Sequence, residues 1–277
     1  MRFTKMHGAG NDYVVINGFE EHVADPARLA RAMSDRHRGV GSDGLILIAP
    51  ADDADLRMTV YNVDGSRGAM CGNGLRCVAK YAYERGLCSR SLVRVATDCG
   101  LRIAECLLDG GRVTRVRAAM GKADYVPRGL PAFAGRRRVI DEPFLVNGRT
   151  LLANFVSTGN PHLVVFVRDL CEIDLAGDGP VLERHEYFPD RINVHFAKVE
   201  SPNAIVMVSW ERGCGAVQAC GTGACAVADT AFRREQTSFP TTMHLSGGEL
   251  LIERAEDGEL LMTGPAEEVF SGTWSPR

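Results

Sequence analysis

The stretch Cys71-Gly72-Asn73-Gly74 recurs 149 residues later (220 − 71) as Cys220-Gly221-Thr222-Gly223, and this recurrence decides the fold. Gly10-Asn11, which precedes an apolar run, matches Gly159-Asn160 at the same spacing. Several matches in one register predict two halves of the same topology. Two such halves place equivalent loops opposite each other across a cleft, which is a preferred location for a small-molecule site.

Each cysteine turn stands between a predicted strand and a predicted helix. Residues 58–61 and 206–210 have the β-branched and aromatic content of strands. Residues 75–85 and 224–233 have the apolar pattern of buried helices. Further alternating stretches predict strands at 92–95, 101–103, 112–117, 243–245 and 249–252. Many strands with one or two helices in each half indicate an α+β fold.

The expected crossing between the halves is the glycine- and proline-containing stretch 119–138. We expect an N-terminal half over residues 1–120, joined by the C-terminal segment 266–277. The C-terminal half then covers residues 121–265.

The composition excludes several classes of protein. The chain has 277 residues, 45% apolar and 24% charged, with a net charge of −3. These values are ordinary for a globular protein and give no basic surface for nucleic acid. No apolar run is long enough for a membrane span or a signal peptide. Nine cysteines without the spacing of a disulfide scaffold favour reduced thiols in the cytoplasm.

The chemistry of the two turns follows from a cysteine at a helix start. Unpaired backbone N–H groups and the positive end of the helix dipole lower the pKa of a thiol, so we expect thiolate character at Cys71 and Cys220. The same N–H groups bind carboxylates. Two such turns facing one carbon would form a two-base epimerase, in which a thiolate removes a proton from one face and a thiol delivers one to the other.

Other interpretations of the cysteines remain open. A zinc- or redox-active thiol protein is the first alternative, although Cys71/Cys77 and Cys220/Cys225 lack the usual two-residue spacing. A non-catalytic binding module is the second, and a phosphate-binding loop without its lysine is the third. Packing residues are expected at the remaining positions, Cys77, Cys88, Cys99, Cys106, Cys171, Cys214 and Cys225.

Eight segments, in order along nearly the whole chain, resemble the diaminopimelate epimerase family. They are Lys5–Tyr13, Asp35–His37, Tyr61–Ser66, Met70–Gly74, Gly159–His162, Arg191–Asn193, Glu211–Gly213 and Ala219–Ala224.

The resemblance implies two pseudo-symmetric halves, each a β-barrel-like sheet around a central helix, and commonly a homodimer. It implies an isomerase that interconverts LL- and meso-2,6-diaminopimelate in lysine and peptidoglycan precursor biosynthesis, without pyridoxal phosphate or metal. Cys71 would be the proton donor and Cys220 the acceptor, with His162 and Glu211 tuning both thiols. The implied substrate-binding residues are Asn11, Asn62, Gly72, Asn73, Asn160, Asn193, Glu211, Arg212, Gly221 and Thr222.

Four positions depart from the family pattern. Ala216-Val217 stands where Glu-Thr is usual, Ala69 stands where Glu is common, and Gly44 stands where some members have Gln. These changes leave open a related racemase of another amino acid, such as histidine. Arg212 favours a substrate with a second carboxylate.

Overall fold

The chain divides into two compact units in a computed structural model that describes residues 1–68 and 71–275. Unit 1 consists of Met1–Ala119 and Thr263–Arg277, and unit 2 consists of Met120–Met262. Both units combine strands and helices, which confirms the α+β prediction. Within the described residues, no helix has the length and apolar character needed to span a membrane.

The described residues form eighteen strands, four α-helices and two short 3₁₀ helices, Pro131–Phe133 and Leu170–Glu172. The strands are β1 (Arg2–Gly8), β2 (Asn11–Asn17), β3 (Gly44–Ala49), β4 (Leu56–Asn62), β5 (Arg67–Gly68), β6 (Leu92–Thr97), β7 (Gly100–Asp109), β8 (Arg112–Gly121), β9 (Glu142–Val146), β10 (Arg149–Ser157), β11 (Pro161–Phe166), β12 (Asn193–Ser201), β13 (Ala204–Glu211), β14 (Gly215–Val217), β15 (Thr241–Leu245), β16 (Gly248–Arg254), β17 (Leu260–Gly264) and β18 (Glu267–Thr273). The helices are α1 (Pro26–Ser34), α2 (Gly72–Glu84), α3 (Leu175–Glu183) and α4 (Gly221–Arg233).

These elements confirm the strands and helices that the sequence predicts, apart from one end. The helix predicted over 75–85 overruns α2 by a residue, since Arg85 is its C-cap. Helices α1 and α3 have no counterpart among the predictions. The start of α1 nevertheless carries a clear signal, because the Asp25 side chain accepts a hydrogen bond from the Arg28 N–H and Pro26 occupies the first turn.

Unit 1 is a strand layer that curves around α2. β1 pairs antiparallel with β2 and β18, β2 is parallel to β3, and β3 is antiparallel to β4. β4 is parallel to β6, from which β7 and β8 continue antiparallel. Helix α2 contacts β1, β2, β4, β6 and β7. Its first eight residues, 72–79, are all buried, as expected of a helix enclosed by strands.

Unit 2 repeats this plan around α4. β10 pairs antiparallel with β9 and β11, β11 is parallel to β12, and β12 is antiparallel to β13. β13 is parallel to β15, which continues antiparallel into β16. Helix α4 contacts β10, β11, β12, β13, β15 and β16, and residues 221–231 are buried. The matching strand order confirms the prediction of two halves with one topology.

A second helix packs against the strands of each unit, α1 in unit 1 and α3 in unit 2. In unit 1, Leu29, Ala30 and Met33 of α1 pack with Val14 and Ile16 of β2. In unit 2, a larger apolar cluster includes residues of β9 to β12 and α3. Several of the predicted site residues lie at the ends of these strands, among them Asn11, Asn62 and Asn193.

Candidate active site

Cys71 is the N-cap of α2. Its Sγ accepts a hydrogen bond from the Gly74 N–H at 3.2 Å, so the side chain satisfies one of the N–H groups that a helix start leaves unpaired. The sulfur also lies 2.9 Å from the Tyr13 hydroxyl and 3.6 Å from Asn11 Oδ1. The thiol is half-buried. Its close neighbours on β2 are therefore a phenol and an amide, both without charge.

Asn11 joins the Cys71 turn to a charged network. Its Oδ1 accepts a hydrogen bond from Asn73 Nδ2 at 3.1 Å, and its Nδ2 donates to Asp43 at 2.7 Å. Arg36 bridges Asp43 and Asp12. Burial and the charge of Asp12 raise the pKa of Asp43. Asn11 is consequently held in one orientation, with its carbonyl oxygen toward the turn.

Cys220 is the N-cap of α4, but its surroundings differ. Its Sγ accepts a hydrogen bond from the Gly223 N–H at 3.4 Å and lies 3.6 Å from Thr222 Oγ1. The residue is only 3% exposed. Burial, followed by the charge of Glu211 and a hydrogen bond to its carboxylate, raises the pKa of Cys220 well above its ordinary value. The expectation of a lowered pKa is wrong for this thiol, because burial and a carboxylate outweigh the helix start.

Two buried histidines lie beside Cys220. His162 Nδ1 is 2.8 Å from His195 Nε2, and His195 Nδ1 is 2.9 Å from the Ser209 hydroxyl. Burial, the neighbouring ring and Arg212 lower the pKa of His162 well below its ordinary value. Burial lowers the pKa of His195 to about 3. Both rings are therefore uncharged at neutral pH.

The two histidines and Cys220 are residue types that commonly bind metal ions. One potential ligand atom from each lies within 4.8 Å of the other two. However, all four ring nitrogens already take part in hydrogen bonds, since His162 Nε2 lies 2.9 Å from Asn160 Oδ1. A metal ion would have to break the hydrogen bond between the two rings, which disfavours the zinc interpretation.

The remaining predicted residues lie at strand ends and loops. Asn193 Nδ2 donates to the Pro161 carbonyl, and its Oδ1 accepts the Arg212 N–H, both at 3.0 Å. The Arg212 side chain is exposed and donates to the Asp190 carbonyl. Asn62 donates to the Ser66 hydroxyl. Gly72, Asn73, Gly221 and Thr222 are buried in the first turns of α2 and α4.

In sum, unit 1 brings Asn11 and Asn73 to Cys71. Unit 2 brings Glu211, His162 and Thr222 to Cys220. Asn62 and the Arg212 guanidinium instead bond to neighbouring loop atoms.

Sequence reasoning missed three residues that contact the site. Tyr13 appears only within a matching segment, and His195 and Ser209 appear nowhere among the candidates. The signal for the latter two is a polar residue inside an otherwise apolar strand pattern, as in Asn193–Ala197. Such a residue must find a buried partner, but the partner lies on another strand and cannot be read from the pattern.

Of the other seven cysteines, Cys99 is half-buried and the remaining six divide into two groups. Cys77, Cys88, Cys106 and Cys225 are buried, which confirms the prediction that they pack in the interior. The same prediction is wrong for Cys171, which is exposed in a 3₁₀ helix, and for Cys214, which is exposed in a turn. Among the departures, Ala216 pairs with Trp210 across β13 and β14, whereas Ala69 lies outside the described residues.

Comparison with known proteins agrees with this geometry. A family model described as "Diaminopimelate epimerase" matches residues 3–126 and 154–269. The diaminopimelate epimerase of Agathobacter rectalis is 46% identical over 280 residues, covering 98% of both chains. That of Desulforudis audaxviator is 48% identical over 276 residues, covering 99% of both. A probable proline racemase from Agrobacterium radiobacter has a similar fold, with a TM-score of 0.71 at 17% identity, over 99% of this chain and 92% of that one.

Proposed function

We propose that Cys71 and Cys220 exchange a proton at one α-carbon in this chain, which belongs to the diaminopimelate epimerase family. The enzyme is an isomerase that interconverts LL- and meso-2,6-diaminopimelate, a step of lysine biosynthesis, without pyridoxal phosphate. One observation carries the proposed roles: two cysteines cap two equivalent helices, each with its sulfur on the N–H of the third residue along.

The helix starts supply the electrostatic part of catalysis. Removal of the α-proton moves negative charge onto the substrate carboxylate. We propose that backbone N–H groups at Gly72, Asn73, Gly221 and Thr222 receive this carboxylate, because the first N–H groups of a helix have no partner within it. Donors that are fixed before the reaction stabilise the developing charge without reorganisation.

The protonation state of Cys220 determines the order of the proposed steps. Its raised pKa means that the sulfur holds a proton at neutral pH when Glu211 is charged. We propose that the substrate ammonium pairs with Glu211 and thereby removes the main charge that opposes ionisation of Cys220. Cys220 then loses its thiol proton to solvent, and the resulting thiolate accepts the α-proton while the Cys71 thiol donates a proton to the opposite face of the carbon. In the reverse direction the two thiols exchange roles.

The proposed substrate contacts combine amides and one cation. Asn11, Asn62, Asn160 and Asn193 offer both donors and acceptors to an amino acid, and Asn11 and Asn160 stand at matching positions of the two units. Arg212 would pair with the distal carboxylate through its planar guanidinium. This contact requires Arg212 to leave the Asp190 carbonyl, an exposed hydrogen bond that is easily exchanged.

The assembly and location of the enzyme are proposals as well. We propose a cytoplasmic homodimer, and light scattering after size-exclusion chromatography tests its mass. We also propose that the domains are residues 1–120 with 266–277, and residues 121–265.

Replacement of each thiol tests the proposed roles. Cys71→Ala and Cys220→Ala should each lower kcat by at least about 10²- to 10⁴-fold, because one face of the carbon loses its proton donor or acceptor. The assay is chiral analysis of LL-diaminopimelate incubated in D₂O, with circular dichroism to verify folding. L-histidine serves as the alternative substrate, and preferential racemisation of histidine would overturn the substrate assignment. Near wild-type epimerisation by either variant would overturn the two-thiol mechanism.

A further inference from the structure

The side chain of His195 is buried in unit 2 and takes no part in the mechanism described above. It lies on β12 and is fully buried. A Cβ added to Gly223 would overlap its ring, so the first turn of α4 rests directly on the imidazole. The Gly223 N–H is also the donor to the Cys220 sulfur. His195 therefore contacts the backbone that orients the thiol.

Packing alone does not explain a histidine here. Gly74 stands in unit 1 where Gly223 stands in unit 2, and a Cβ added to Gly74 would meet Ile46 Cδ1 at 2.7 Å. Ile46 thus fills beneath α2 the place that His195 fills beneath α4. An apolar side chain satisfies the packing requirement, and a buried imidazole is unfavourable unless its nitrogens are bonded. The reason for the histidine must lie in those bonds.

The hydrogen bonds of His195 run in one direction. The Asn160 side-chain oxygen, Oδ1, can only accept a hydrogen bond. His162 Nε2 therefore carries a proton and donates to it. Because the His162 ring is neutral, its Nδ1 is an acceptor and His195 Nε2–H is the donor. His195 Nδ1 then accepts from the Ser209 hydroxyl. The chain from Ser209 through His195 and His162 to Asn160 satisfies every ring nitrogen with one set of protons.

We propose that His195 is a positioning residue that fixes His162 as its Nε2–H tautomer beside Cys220. The proposal rests on the proposed function and on the role in tuning the catalytic thiols that the family resemblance implies for His162. Residues facing His195 are His162 on β11, Ser209 on β13, and Cys220 and Gly223 at the start of α4. Two charges act on this group, that of Arg212 on His162 and that of the Glu211 carboxylate on Cys220. Without the His195 donor, His162 Nδ1 would be a buried acceptor and the ring would adopt the other tautomer or rotate.

The test uses substitutions taken from the other unit. His195→Ile copies Ile46 and removes the donor while retaining an apolar side chain, and His195→Gln retains an amide donor near the position of Nε2. We expect His195→Ile to lower kcat by about 10- to 100-fold with KM within about threefold, as for outer partners of functional histidines. His195→Gln should recover kcat to within about threefold of the wild type. Val194→Ala, a buried neighbour on β12, is the control that should lower stability without changing kcat.

Two readouts separate positioning from a merely structural role. The ¹⁵N spectrum of the resting enzyme should show His162 protonated at Nε2 in the wild type and in His195→Gln, and this pattern should be lost in His195→Ile. The double variant His162→Ala/His195→Ile should be no slower than His162→Ala alone. An unchanged ¹⁵N pattern in His195→Ile, or losses that multiply in the double variant, would overturn the proposal. If His195→Ile fails to fold, Ser209→Val, which copies Val60 of unit 1, tests the same chain through its first donor.

The ¹⁵N result does not depend on turnover. If His162→Ala retained full activity while the tautomer still followed residue 195, the proposed role of His162 in catalysis would be wrong. The structural assignment of His195 would then stand, so the two failures are distinguishable.

Discussion

The Cys71 turn and the Cys220 turn have the same backbone and different surroundings. Both cysteines cap a helix, and both sulfurs accept the N–H of the third residue along. Counting 149 residues from one turn to the other pairs Tyr13 with His162, Ile46 with His195, Val60 with Ser209, Asn62 with Glu211 and Asn73 with Thr222. In unit 1 these neighbours are uncharged or apolar, whereas in unit 2 they form a polar chain and a carboxylate.

This difference separates what the repeat preserves from what it changes. The backbone provides anion-binding N–H groups in both units, because that property depends only on the helix start. The side chains determine whether the sulfur holds a proton. Cys71 is half-buried beside Tyr13, whereas Cys220 is buried beside Glu211 and keeps its proton. A two-base enzyme needs one thiol and one thiolate, and the proposed pairing of Glu211 with the substrate ammonium is what would allow the protonated Cys220 to become the thiolate.

Removal of the Glu211 charge should have the largest effect on this asymmetry. Glu211→Gln eliminates the carboxylate that raises the pKa of Cys220, so alkylation of Cys220 by iodoacetamide should begin at lower pH. The same change removes the proposed partner of the substrate ammonium, and kcat should fall by about 10²-fold or more. Peptide mapping after timed alkylation measures the first effect, and the D₂O assay measures the second.

Asn62→Asp is the matched change in unit 1, because it supplies a carboxylate at the position equivalent to Glu211. Alkylation of Cys71 should become slower than in the wild type. Equal alkylation rates of Cys220 in wild type and Glu211→Gln would show that burial alone protects this thiol, and would remove the proposed role of the carboxylate.

The sequence predicts the scaffold of these turns better than their surroundings. The repeated Cys-Gly-x-Gly stretch identifies both helix starts, since glycine at the third position after each cysteine is required by close neighbours, Ile46 and His195. Residue composition locates β4 and β13 correctly because β-branched and aromatic side chains favour strands. The curved sheet around a helix came from family resemblance and not from periodicity.

The pKa of Cys220 could not be predicted from local sequence. A helix start lowers the pKa of a thiol when the sulfur is accessible to water. Here the outcome depends on burial and on Glu211, which is brought close by the pairing of β13 with β12 and β14. These are tertiary effects. His195 was missed for the same reason, since its partners come from β11 and β13.

The two buried histidines of unit 2 should make the folded protein less stable at acid pH. Both rings have depressed pKa values in the folded state, so the unfolded state binds protons that the folded state does not. The stability that they contribute is present above pH about 6.5 and is lost as pH falls toward the folded value of about 3 for His195. Each ring should contribute a slope of roughly 1.4 kcal/mol per pH unit within this range.

His195→Gln isolates one ring from this effect. Urea unfolding of the variant between pH 6 and pH 4 should show a slope smaller than that of the wild type by about one proton. Val194→Ala should shift the whole curve without changing its slope. Parallel curves for wild type and His195→Gln would indicate that His195 binds its proton in the folded state, contrary to the burial described.

The smallest expected effect concerns Cys77, which stands opposite Ala226 in the comparison of the two helices. Cys77 is fully buried in α2, and burial raises its pKa to about 12, so it is neither a nucleophile nor a base at neutral pH. The matching site in α4 is occupied by alanine, which is also fully buried. Cys77→Ala should therefore reduce the free energy of unfolding by about 1–2 kcal/mol through the lost sulfur contacts and a small cavity. The melting temperature should fall by roughly 2–4 °C per kcal/mol, while kcat and KM stay within about twofold of the wild type. Thermal and urea unfolding measured beside the epimerisation assay check this result. A large loss of kcat in a folded Cys77→Ala enzyme would mean that a third thiol takes part in the reaction, and the comparison of two turns would then be incomplete.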